Sequence, residues 1–205
     1  MCIQPSPIEY FFPQASEIIP GLFVSDLYTA TSPAVLSRLG VTHVLSVLRT
    51  PGLTFPQPLQ HLTIPIDDTS DAFLLDHLDD AVRWIRDALG PNQEDGAEGG
   101  QGGHVLVHCV WGMSRSASVV VAFLIAARGM PLYAALRILR ARRPVARPNE
   151  GFMAQLQAFE RATRLRETRA RENSADVHRM ETGTEVCLPA ESGRRDEVRS
   201  RSVAH

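Results

Sequence analysis

The stretch HVLVHCVWGMSRSASVVVAFL, residues 104–124, constrains this chain more than any other: two apolar runs are divided by a short loop that opens on a cysteine and closes on an arginine. The first run, Val105 to Val107, reads as a buried central strand ending at His108. The second begins near Ser114 and reads as a buried helix. Only the seven residues Cys109 to Arg115 connect them. The backbone N–H groups of such a loop point inward, and the unsatisfied N–H groups at the helix start point the same way. Together they offer an anion about half a positive charge.

The side chains of the loop agree with that reading. Arg115 supplies a planar fork that can take two oxygens of a phosphate, and Gly112 lets the backbone turn tightly against a ligand. An electropositive pocket also stabilises a thiolate: a cysteine at a helix N-terminus beside arginine can fall from about 8.5 to roughly 3.5–7.5 in pKa. Cys109 is then a nucleophile at neutral pH. Taken singly, each residue has a plainer explanation, with Cys109 a small buried hydrophobe, Arg115 a solvated helix cap and Gly112 a simple turn. The coincidence of strand, cysteine, glycine, arginine and helix is what favours chemistry.

Elsewhere the sequence alternates strand-like and helical patterns. Strands are predicted at Leu22–Ser25, Val41–Val47 and His61–Ile66, each β-rich and bounded by Gly, Pro or polar residues. Ser32 to Gly40 reads as a short helix with a serine cap and a terminal glycine. After Asp71 the residues Leu74, Leu78, Val82, Ile85 and Leu89 recur at helical spacing until Gly90-Pro91. A further helix starts at Pro131, carries Leu132, Leu136 and Leu139, and ends before Pro144; the last follows Pro148 with Phe152, Leu156 and Phe159. This interleaving predicts an α/β fold: a central mixed, mainly parallel sheet flanked by helices, with the cysteine loop between a strand and a buried helix. The expected domain covers residues 15–168, after an N-terminal tail at 1–14. Within it, residues 90–103 form a Gly-rich loop that looks like an insertion. Residues 169–205 are polar and charged, and are expected to be a disordered tail.

Composition narrows the partners. A formal charge of -2 and a pI near 6.4 create no global basic field, so neither nucleic acid nor an anionic membrane is expected. All 21 basic residues are arginine, a bias spread along the whole chain and given no functional weight. Cys2, Cys109 and Cys187 form neither a disulfide framework nor a metal-ligand spacing. Ala117 to Ala127 is shorter than the roughly 20 residues a membrane span requires. The N-terminus shows no signal-peptide pattern and no Met-Gly start. A soluble protein of the cytoplasm, the nucleus or both is expected, with oligomeric state left open.

His108, Cys109, Gly112, Ser114, Arg115 and Ser116 resemble the protein tyrosine phosphatase signature. With Ala122, Phe123 and Leu124 they resemble the fuller pattern of the dual-specificity phosphatases. The likeness extends to IPIDDTSDAFLLDHLDDAVRWI, similar to the family segment bearing the general acid, and to RPNEGFMAQLQAFE, similar to its closing helix, so that it covers roughly residues 17–165. It is nearest to the small atypical members that lack a kinase-docking domain. Trp111 departs from the family, where most relatives carry alanine, and is expected to alter the pocket wall.

The resemblance implies a two-step hydrolysis that needs no metal and no cofactor. Cys109 attacks phosphorus, while Arg115 and the loop residues Val110, Trp111, Gly112, Met113 and Ser114 bind the phosphoryl group. An aspartic acid protonates the leaving oxygen and Ser116 stabilises the departing thiolate. Of Asp67, Asp68 and Asp71, alignment with the family places Asp68 at the acid position; Asp71 fits a helix cap best. His108 either orients Cys109 or is a plain buried histidine, and Asn149 either supports the loop or caps a helix. Val110, Trp111 and Met113 are uncharged, which favours phosphoproteins over phosphoinositides, RNA 5′-phosphates or phosphoglycans. A thiol oxidoreductase would want a second nearby cysteine, and neither it nor a rhodanese-like sulfur carrier accounts for the Asp-rich segment. A non-catalytic phosphoprotein-binding module would not need the nucleophile.

Overall fold

The computed structural model describes residues 14–50, 52–56, 58–90 and 102–181, the side chains through 174. The segment 1–13, the core of the Gly-rich loop at 91–101 and the stretch 182–205, with Cys2 and Cys187, lie outside the described residues. Five strands form one sheet: β1 (Ser16–Ile19), β2 (Leu22–Ser25), β3 (Val41–Val47), β4 (Gln60–Ile64) and β5 (His104–His108), in the order β1-β2-β5-β3-β4. β1 runs antiparallel to β2 and every other pairing is parallel, giving the mixed, mainly parallel sheet expected. Among the described residues six helices accompany it: α1 (Leu27–Ala30), α2 (Pro33–Arg38), α3 (Leu75–Leu89), α4 (Arg115–Arg128), α5 (Leu132–Arg142) and α6 (Glu150–Glu181).

The strands alternate between two cores, as their period of two requires. Leu22, Val24, Leu45, Val47, Val105 and Val107 pack with α3, α4, α5 and the first turns of α6. Phe23, Val44 and Leu106 face the other way, onto Ala30 of α1 and Leu36 of α2. Helix α4 lies inside the larger core, with every residue from Arg115 to Ile125 buried. Phe152, Leu156 and Phe159 of α6 are likewise buried, each contributing about 1.5–3 kcal/mol of transfer free energy. No helix among the described residues is long and apolar enough to cross a membrane.

The structure departs from sequence expectation at five places. β1 and α1 were not anticipated, each having only four residues. β4 begins one residue earlier and ends two residues sooner than His61–Ile66. Ser32 occupies the N-cap of α2 but its hydroxyl makes no cap bond, and Pro33 initiates the helix instead. Asp71 does not cap α3: Leu74 holds the N-cap position, and the Leu75 N–H is taken by Gln155 Oε1 at 2.8 Å. Finally, the expected disordered tail begins as helix, since α6 continues to Glu181. One compact unit ends at Arg166 and a second starts at Glu167. The stripe of apolar residues is spent by then, but Arg, Glu and Ala are strong helix formers on their own account.

Candidate active site

Strand β5 is central, paired with β2 on one side and β3 on the other, so its carboxyl end opens where ligands of parallel sheets bind. Cys109 follows immediately and is 1 % exposed, with its thiol free. Its Sγ accepts the Gly112 N–H at 3.2 Å and the Ser116 hydroxyl at 3.3 Å. Burial is the largest single influence on this thiol and pushes it up. The Ser116 hydroxyl, the backbone N–H groups of Ser116 and Met113 and the Arg115 charge together outweigh burial and hold it below the ordinary thiol value.

The loop is gripped from outside by its carbonyls. Leu27 N–H donates to the Val110 carbonyl at 3.1 Å, and Arg147 N–H to that of Met113 at 2.7 Å. Between them, Arg143 donates to the Trp111 and Gly112 carbonyls at 3.2 and 2.6 Å. Gly112 has φ +64°, and a Cβ there would collide with the Ser25 carbonyl and the Arg143 guanidinium. Glycine is therefore required twice over, by backbone conformation and by space. Within the loop, Ser114 and Arg115 are buried while Trp111 and Met113 face out. Trp111 is 71 % exposed. Met113 is exposed and Val110 half-buried.

Arg115 opens α4 and is buried. One Nη donates to the Ile66 carbonyl at 3.3 Å, while its Nε stands 3.5 Å from Asp68 Oδ2 and makes no hydrogen bond among the described residues. The charge of this buried group is thus met by the Asp68 carboxylate. Asp68 Oδ1 accepts from the Ser114 hydroxyl at 2.6 Å and from Asn149 Nδ2 at 2.9 Å. Asp67 lies elsewhere, paired at the surface with Arg49 at 3.3 Å. Asp71 is fully exposed, its carboxyl lowered first by a hydrogen bond from Thr69.

Asn149 caps a helix and also reaches the segment that carries Asp68. Its Oδ1 accepts the Phe152 N–H at 2.9 Å, capping α6, while Nδ2 reaches Asp68 and, at 3.3 Å, the Thr69 carbonyl. His108 is fully buried, with Nδ1 3.3 Å from the Cys109 carbonyl and Nε2 2.6 Å from Ser46 Oγ, which in turn lies 2.8 Å from His61 Nε2. Burial lowers His108 to about 4, and the contacts fit a neutral ring donating from Nδ1.

Sequence reasoning missed Arg143, Gln155 and Gly151. Gln155 bonds both ends of the segment leading into α3, its amide donating to the Ala72 carbonyl at 2.8 Å. Gly151 leaves no room for a Cβ against the Ser70 carbonyl. Only Gly151, inside the Pro-Asn-x-Gly-Phe pattern, carried a sequence signal; Arg143 was one arginine among 21.

A thiol held low inside a nest of amides, facing an arginine fork at the carboxyl edge of a parallel sheet, defines a cysteine-dependent phosphatase. The chain belongs to the dual specificity phosphatases, since the family model for the dual specificity phosphatase catalytic domain matches residues 22–162. Dual specificity protein phosphatase 1B of Arabidopsis thaliana is 36% identical over 147 residues, covering 72% of this chain and 82% of that protein. Among solved structures, a mouse dual specificity phosphatase complexed with zinc tungstate aligns with TM-score 0.67 and 30% identity, over 82% of this chain and 96% of that one. Human DUSP28 aligns with TM-score 0.66 and 32% identity, over 75% and 97%.

Proposed function

We propose that this chain is a protein phosphatase that hydrolyses phosphotyrosine and phosphoserine or phosphothreonine through a phosphocysteine intermediate. The observation that carries the reading is the convergence of the Gly112 N–H and the Ser116 hydroxyl on Cys109 Sγ. A buried sulfur surrounded by donors is prepared to be a thiolate. In the first step Sγ attacks phosphorus, the bond from phosphorus to the substrate oxygen breaks, and Asp68 gives that oxygen a proton. Arg115 and the loop amides bind the three equatorial oxygens. In the second step Asp68 takes a proton from water, whose oxygen attacks phosphorus. The S–P bond breaks, and Ser116 donates its hydrogen bond to the returning thiolate.

Phosphoproteins are the substrate class that the family implies. The tungstate bound in the mouse relative is a tetrahedral oxyanion, a shape the nest and Arg115 would accept here as well. A catalytic thiol persists only where reductants keep it free, so a cytoplasmic or nuclear location is proposed. Phosphate release from an aryl phosphate and from phosphotyrosine and phosphothreonine peptides tests the activity. Cys109→Ser should abolish turnover while still binding phosphopeptide. Retention of more than about a hundredth of the wild-type rate would refute covalent catalysis, whose loss costs far more.

A further inference from the structure

We propose that Arg143 is a positioning residue for the reaction, turning the Gly112 and Met113 amides onto the Cys109 sulfur by gripping the carbonyls on the far side of the same two peptide units. The inference rests on the phosphatase reading and extends it to a residue remote from the signature loop. Arg143 stands at the C-terminal cap of α5 and is buried. Its Nε donates to the Gly112 carbonyl at 2.6 Å and one Nη to the Trp111 carbonyl at 3.2 Å. The other Nη reaches back to Ser16 Oγ at 3.4 Å and the Gln14 carbonyl at 3.5 Å.

A trans peptide unit is planar, with C=O and N–H pointing in opposite directions. Drawing the Trp111 carbonyl outward therefore sends the Gly112 N–H inward, and that N–H is bonded to Cys109 Sγ at 3.2 Å. Drawing the Gly112 carbonyl outward does the same for the Met113 N–H, which also stabilises the sulfur. The flanking carbonyls, of Val110 and Met113, are held by neutral backbone donors. Only the two central units, the first of which carries the amide bonded to the sulfur, are held by a charged fork. A planar guanidinium spans both carbonyls at once; an ammonium is a point donor and does not. Burial weakens the hold of Arg143 on its own proton, and the charges acting in the opposite direction are those of Asp26 and Cys109.

The test compares wild type, Arg143→Lys and Arg143→Met in aryl phosphate turnover, in inhibition by tungstate, in the acid limb of the kcat/KM profile and in thermal midpoint. Each variant should lose roughly 10- to 100-fold in kcat/KM, the scale of hydrogen bonds to a charged group, with Met the worse. Tungstate inhibition should weaken at least about tenfold, and the acid limb should move to higher pH, because a less stabilised thiolate needs a higher pH to form. A purely structural arginine would lower the midpoint and leave the acid limb and tungstate inhibition in place, and that result overturns the proposal. If neither variant folds, NMR of the wild-type Arg143 Nε–H decides. Slow exchange and a shift that follows Cys109 titration are expected; exchange as fast as an exposed arginine, or indifference to that titration, overturns it. Inactive wild-type enzyme in the same assay would instead tell against the phosphatase reading itself.

Discussion

Asn149 and Asp68, 81 residues apart in the chain, are joined by a 2.9 Å hydrogen bond from Nδ2 to Oδ1. The same asparagine caps α6 through its Oδ1, so the helix end and the carboxylate proposed as general acid are held by one side chain. With Ser114 on Oδ1 and Arg115 near Oδ2, Asp68 has a single place in the pocket. Asp67, one residue earlier, is turned away to Arg49 and largely exposed.

Asp68→Asn is therefore expected to slow hydrolysis of phosphopeptides by roughly 10²–10⁴-fold, the usual scale of general acid catalysis. The loss should be much smaller on an activated aryl phosphate, whose leaving group departs without a proton. Asp67→Asn should change either rate by no more than about twofold, since an exposed ion pair contributes little. Steady-state rates on the two substrate types check this. If Asp67→Asn produced the leaving-group-dependent loss, the acid would be one residue earlier.

The segment carrying the acid is docked on α6 at three points: Asn149 on Thr69, the side-chain-free Gly151 against Ser70, and Gln155 on Ala72 and Leu75. Gly151→Ala should push the Ser70 backbone away and lower the ratio of phosphopeptide to aryl phosphate turnover. Asn149→Asp separates the two duties of the asparagine, because a carboxylate still caps the helix but cannot donate to Asp68. The new carboxylate also repels Asp68, so a modest fall in thermal midpoint is expected, while the turnover ratio falls by about tenfold or more. An unchanged turnover ratio would make Asn149 a helix cap and nothing else, since the variant keeps the cap.

Much of this site was legible in the sequence because it is local. Residues 108–116 carry strand end, nucleophile, turn, arginine and helix start in one run. The remainder depends on groups distant in sequence. Arg143 meets Gly112 across 31 positions and Gln155 meets Ala72 across 83, and nothing in RARRP or MAQLQ distinguishes those side chains from surface ones. Sheet order was equally hidden, since each parallel pairing is made through a crossover.

The exposure of Trp111 separates two kinds of substrate. A small aryl phosphate is held by the loop amides and Arg115, none of which the indole supplies, so Trp111→Ala should leave its kcat/KM within about twofold of wild type. A tenfold loss on the small substrate would show that the indole shapes the phosphate pocket. The contact of Arg143 with residue 111 is made by its carbonyl, a backbone group that the substitution does not remove.

The last expectation concerns acid stability, through His108. Burial holds this ring at about 4, against an ordinary value of 6.5. Between those two values the unfolded chain binds a proton that the folded protein refuses, so folding is opposed increasingly as the pH falls. The contribution is fully retained above about pH 6.5, is reduced by about 2 kcal/mol at pH 5 on this shift, and levels off below about pH 4. His61, bonded to the same Ser46 hydroxyl and also lowered by burial, acts in the same direction. Charging His108 would cost more than desolvation, because an imidazolium donates from both nitrogens and Ser46 could no longer donate to Nε2. His108→Asn removes the titration while keeping an amide that can donate to the Cys109 carbonyl. Its thermal midpoint should start lower than that of wild type at neutral pH, owing to lost packing, but fall less between about pH 7 and pH 5. Parallel midpoint curves for the two proteins over that range would show that His108 does not titrate on unfolding, and would place the acid sensitivity of the fold in its carboxylates instead.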